Sequence, residues 1–78
     1  METIQEVQAY LKRELQGMHS PHAPERMMAV ALEKLAGKCQ SVEEFIEKAQ
    51  RTPVTGAGIE EVQIANEYRE IVLEAIQG

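Results

Sequence analysis

Three stretches of the chain carry residues able to do chemistry. They are Gly56-Ala57-Gly58 within TPVTGAGIEEV (residues 52–62), the pair His19-Ser20-Pro21-His22, and Cys39 between Lys38 and Gln40. A glycine-rich turn that feeds a helix N-terminus binds phosphate through its backbone N–H groups. A Walker-type loop adds a Lys and a Ser or Thr at its end, and a dinucleotide fingerprint needs a preceding strand. TPVTGAGIEEV has neither. Instead Glu60 and Glu61 open the following helix, where their carboxylates complement its dipole and repel a phosphate. We read the glycines as a flexible connector. A helix-hairpin-helix DNA element is the related alternative, with Lys48 and Arg51 before the loop and Ala65 after it. The Pro-Gly that opens such a hairpin is missing, and so are basic residues beyond it.

His19 and His22 have the spacing of two metal ligands, with Cys39 or Glu25 as a third. No second Cys/His pair completes such a set, so both are expected in solvent beside the prolines. Met18, Met27 and Met28 invite a copper reading, but methionine at helical spacing is core filler. Lys38 is placed to lower the pKa of Cys39, yet a nucleophile also needs a positioned base, and neither histidine is tied to it in sequence. Most carboxylates fall on solvated helix faces, and a chain of 78 residues has little interior from which to make a desolvated acid/base pocket. No catalytic residue, cofactor or metal is expected, and the chain is read as a non-enzyme.

The elements that position these residues are helices. Apolar residues are 44% of the chain and charged residues 27%, an ordinary globular balance. The aromatics are Tyr10, Phe45 and Tyr68 only. The core must therefore come from Leu, Ile, Val, Met and Ala, which pack well between helices. Ile4, Val7, Leu11 and Leu15 form a narrow seam over residues 3–16, with Thr3 and Glu6 as a capping box and Gly17 as a stop. Pro24 opens a second helix to Ala36, apolar around most of its circumference and therefore central, which Gly37 ends. Ser41 and Glu44 make another capping box for a short third helix, with Val42, Phe45, Ile46 and Ala49 on one face and Pro53 as terminator.

The fourth helix, over residues 59–76, has an apolar arc wider than packing on one domain requires. Ile64, Ala65, Tyr68, Ile71, Val72, Ala75 and Ile76 make the arc, and Val62 and Leu73 extend one shoulder. Glu60, Gln63, Glu67, Glu70, Glu74 and Gln77 face the other way. The expected architecture is all-α, a single domain over residues 1–78 built as a small bundle of four short helices.

KCQSVEEFIEK (residues 38–48), followed by ANEYR (residues 65–69), resembles the Hha/YmoA group of small helical modulators that bind a nucleoid-structuring protein. The loop between the two stretches differs. The resemblance implies only a small helical adaptor that works through protein contacts, and it carries over no functional residue.

Net charge is −5, and beyond Thr52 the glutamates stand against Arg69 alone. Such a surface repels nucleic acid and anionic lipid and suits a basic protein partner. A single cysteine excludes an internal disulfide and fits a reducing compartment. METIQEVQAY has Glu2 and Glu6 where a signal peptide needs a basic start, and no apolar run approaches a membrane span. The expectation is a cytoplasmic, non-catalytic interaction module, an adaptor, regulator or assembly subunit. It would self-associate through Val62, Leu73 and Ile76, with Glu60, Glu67, Glu70 and Glu74 steering a basic partner. The alternative is a dimeric DNA- or nucleoid-associated modulator using Lys12, Arg13, Lys48 and Arg51.

Overall fold

The computed structural model describes residues 1–54 and 58–78. The Gly56-Ala57 part of the expected connector lies outside the described residues. Four helices follow in order: α1 (Ile4–Gln16), α2 (Pro24–Ala36), α3 (Val42–Gln50) and α4 (Ile59–Gln77). Among the described residues there is no strand, and the domain is a small all-α bundle.

Local chemistry sets most of the boundaries. Thr3 is extended, its Oγ1 accepts the Glu6 N–H at 3.2 Å, and the Glu6 carboxylate accepts the Thr3 N–H at 3.2 Å. The α1 capping box is therefore complete. The N–H of Glu2 and the hydroxyl and N–H of Thr3 hold the Glu6 carboxyl below its usual pKa.

At α3 the expected box is only half formed. Ser41 Oγ accepts the Glu44 N–H at 3.1 Å, but the Glu44 carboxylate reaches one residue further back, to the N–H of Gln40 at 2.8 Å. Pro24 does stand at the start of α2, after an Ala23 that makes no side-chain cap. Gly17 and Gly37 follow α1 and α2 with φ of −85° and −66°, right-handed values open to any residue. These helices stop without the left-handed turn that glycine is usually chosen for.

α2 is the central element, touching the other three helices and packing most extensively on α4 and α1. The largest fully buried side chains come from every helix: Val7 and Leu11 of α1, Leu32 of α2, Phe45 of α3, Val72 and Ile76 of α4. Burial of each is worth about 1.5–3 kcal/mol before the entropy of ordering the chain.

Polar side chains then tie the helix ends together. The last carbonyls of a helix have no partner within it. Gln8 Nε2 donates to the Ala36 carbonyl at the end of α2 (3.1 Å), and Arg69 Nη1 to the Ala49 carbonyl near the end of α3 (3.2 Å). The Met1 nitrogen donates to the Ile76 carbonyl near the end of α4, at 2.7 Å. Each contact joins residues distant in sequence, so it fixes how one helix is rotated and slid against the next.

Candidate functional site

The stretches singled out for chemistry stay apart. His19 and His22 are both exposed in the segment between α1 and α2. His19 lines a shallow groove with Met18, Glu25, Arg26 and Tyr68. Cys39 sits in the hydrophobic core with 6% of its surface exposed. Among the described residues, no group of three or more His, Cys, Asp or Glu side chains converges as a metal site would need. Burial pushes the Cys39 thiol up, Glu44 adds to that, and Lys48 offsets part of it. This is a buried, unactivated thiol, as the missing base had suggested, because desolvation outweighs the nearby cations. Of the methionines, Met28 is buried and Met27 is half exposed. Both line an apolar cleft of about 90 Å³ with Pro24, Pro53, Val54 and Ala65.

The basic residues of the DNA-binding alternative are partly committed elsewhere. Lys48 Nζ lies 2.9 Å from Glu44 Oε2 and Arg51 Nη2 lies 3.0 Å from Glu47 Oε1, each one turn along α3. Exposed pairs of this kind contribute a few tenths of a kcal/mol, roughly. They nevertheless lower the positive potential of that face. Lys12 and Arg13 stay exposed on α1.

α4 carries the main correction. Its buried residues are Ala65, Tyr68, Val72, Leu73 and Ile76. Leu73 and Ile76, expected on an interface, are only 8% and 1% exposed, and Val62 is half-buried. The cause is the anchor beside them. Arg69 Nη1 donates to the carbonyls of both Ala49 and Thr52, while Nη2 donates to Asn66 Oδ1 at 2.6 Å. That clamp draws the Arg69–Leu73 shoulder onto the end of α3, where Leu73 lines a shallow groove with Gln50, Glu70 and Glu74.

The other shoulder is left outside. Ile64 is 39% exposed and Ile71 61%, and Ala75 is exposed as well. On this side Tyr68 turns inward and donates its hydroxyl to Glu14 Oε1 of α1 at 3.1 Å. Burial, then that carboxylate, pushes the tyrosine pKa far above its ordinary value. Ile59, at the first turn, is also exposed, but it lies well round the helix from Ile64 and Ile71.

Glu60, Glu67 and Glu74 are exposed and repeat every seven residues, the same interval that separates Ile64 from Ile71. Residues seven apart lie nearly above one another on a helix. The outer shoulder of α4 is thus an apolar file beside a glutamate file. The signal for it lay in that shared period, whereas the width of the arc pointed to the shoulder of Val62, Leu73 and Ile76, which the bundle buries or half-buries. The acidic half of the sequence expectation keeps its place on the surface.

Comparison with known proteins finds no significant similarity: no family model matches the chain, and neither a curated protein nor a solved structure does. The resemblance of residues 38–48 and 65–69 to the Hha/YmoA group gains no support from it.

Proposed function

We propose that this chain is a non-catalytic interaction module that offers the outer shoulder of α4 to another protein. The observation that supports the reading is the pair Ile64 and Ile71, left outside while Ala65, Tyr68, Val72, Leu73 and Ile76 of the same helix are buried. A single exposed isoleucine needs no explanation, but two aligned on one helix beside an unbroken acidic file match the way helix-binding surfaces are built. Leu73 and Ile76, named from the sequence for self-association, are taken up by the core.

The test compares the parent with an Ile64→Ser/Ile71→Ser variant as baits in the native host, with quantitative mass spectrometry of what each retains. Both positions are partly solvated, so the variant keeps its helical spectrum. The expected result is at least one protein retained by the parent and lost by the variant. Identical sets from two folded baits would reject the α4 shoulder as the working surface.

A further inference from the structure

The charge pattern around Ile64 and Ile71 narrows what can sit on them. Resting on the reading above, we infer that the occupant is an amphipathic helix of another protein, with Lys or Arg flanking its apolar seam at seven-residue spacing. Three observations carry this. Ile64 and Ile71 are seven residues apart, and so are Glu60, Glu67 and Glu74 in turn. At 1.5 Å per residue this is one apolar contact and one carboxylate about every 10 Å. A second helix laid along α4 repeats its side chains at the same interval, as in a coiled coil, where charges flanking the seam choose the partner. An extended strand, at about 3.3 Å per residue, does not keep that step with a whole number of alternating side chains.

The second observation is that, among the described residues, none of Glu60, Glu67 and Glu74 is in a salt bridge. Arg69 is the one basic residue of α4, and its guanidinium is turned to the carbonyls of Ala49 and Thr52 and to Asn66. The glutamate file therefore faces outward uncompensated by its own helix.

The third observation concerns a second copy of the chain. An antiparallel pairing that lays Ile64 on the partner's Ile71 sets Glu60 against the partner's Glu74 and Glu67 against its own counterpart. A parallel pairing puts the two glutamate files on opposite edges of the seam, where neither meets a basic residue of the partner's α4. Like charges flanking a seam oppose association and act as a specificity device. The same field disfavours nucleic acid and anionic membranes. A basic helix meets both files at once.

The experiment uses synthetic helical peptides about three heptads long with leucine seams, flanked by Lys, Gln or Glu. Binding is read by fluorescence anisotropy at physiological salt, with the variants checked by circular dichroism. The Lys peptide is expected to bind at least about tenfold more tightly than the Gln peptide, and the Glu peptide not at all. Ile64→Ser/Ile71→Ser, which leaves the charge unchanged, should weaken the Lys peptide about tenfold or more. Glu60→Gln/Glu67→Gln/Glu74→Gln should do the same. Glu33→Gln/Glu43→Gln/Glu47→Gln removes as much charge from α2 and α3 and should have little effect.

Equal losses from the two glutamate sets would reduce the binding to overall charge and overturn the inference. Equal binding of all three peptides, still sensitive to the isoleucines, would keep the shoulder as a docking site and reject a basic occupant. Binding by none would overturn both the inference and the reading it rests on. Sedimentation equilibrium of the protein alone completes the set, and a dimer abolished by Ile64→Ser/Ile71→Ser would make the occupant a second copy.

Discussion

Arg69 Nη1 donates to the carbonyl oxygen of Ala49 across 3.2 Å, joining the middle of α4 to the end of α3. The same nitrogen also bonds to the Thr52 carbonyl, so one guanidinium closes the last turn of α3 and sets the rotation of α4. Hydrogen bonds to a charged group are worth about 1.5–3 kcal/mol when partly buried. Arg69→Met keeps the aliphatic stem and removes the donors. It should lower stability by about 2 kcal/mol, several degrees or more in Tm for a domain this small. Arg69→Lys should recover only part of the loss, because an ammonium cannot reach both carbonyls and Asn66 with a planar fork. Thermal unfolding followed by circular dichroism decides it, and a Met variant as stable as the parent would remove Arg69 as an anchor.

The two shoulders of α4 should respond oppositely to the same substitution. Leu73→Glu forces a carboxylate into a position only 8% exposed. The cost should be about 2–4 kcal/mol, moderated by the shallow groove beside it. Ile71→Glu puts the same group at a position 61% exposed and should cost less than about 1 kcal/mol. Urea unfolding of both variants measures the difference. If Leu73→Glu were the milder change, the inward shoulder would be misassigned.

Alkaline pH should weaken the domain through Tyr68. Its pKa is raised from 10.0, first by burial and then by the hydrogen bond to Glu14. A group with a raised folded pKa holds its proton in the folded state after the unfolded chain has released it. Its contribution is fully present below the unfolded pKa and declines as pH rises above it. The melting temperature should therefore fall from about pH 10 upward, and less steeply for Tyr68→Phe. At neutral pH the Phe variant should lose about 0.5–1.5 kcal/mol, the net value of one hydrogen bond. A pH profile unchanged by Tyr68→Phe would contradict the assignment.

Cys39 should behave as a protected thiol. It is buried, and its pKa is pushed up by desolvation. Labelling by an aromatic disulfide reagent should be slower in the native state than in denaturant by a factor on the order of a hundred, since it waits on local opening. Comparable rates in both states would return Cys39 to the list of reactive residues.

Residues 3–54 were largely legible as sequence because their signals are local. Thr3 with Glu6, Pro24, and Ser41 with Glu44 each act within one helical turn, where the distance between groups follows from the backbone alone. α1, α2 and α3 begin where those signals place them. The all-α class followed from the 3.6-residue spacing of Leu, Ile, Val and Ala with no period-two run. Even here the reach of Glu44 to Gln40 instead of Ser41 was a matter of local rotamers, beyond what residue types specify.

The orientation of α4 was decided only by the tertiary structure. Its apolar residues cover more of the circumference than the bundle can bury, so the pattern itself leaves either shoulder free to face inward. What breaks the tie is a long-range hydrogen bond, Arg69 to carbonyls of α3, and a second one on the opposite side, Tyr68 to Glu14 of α1. Both join residues far apart in the chain, and their formation depends on where α1 and α3 have docked. Periodicity along one helix carries no record of that. Leu73 and Ile76 therefore went to the core, Ile64 and Ile71 stayed outside, and the glutamates that the sequence alone had placed in solvent remained beside them.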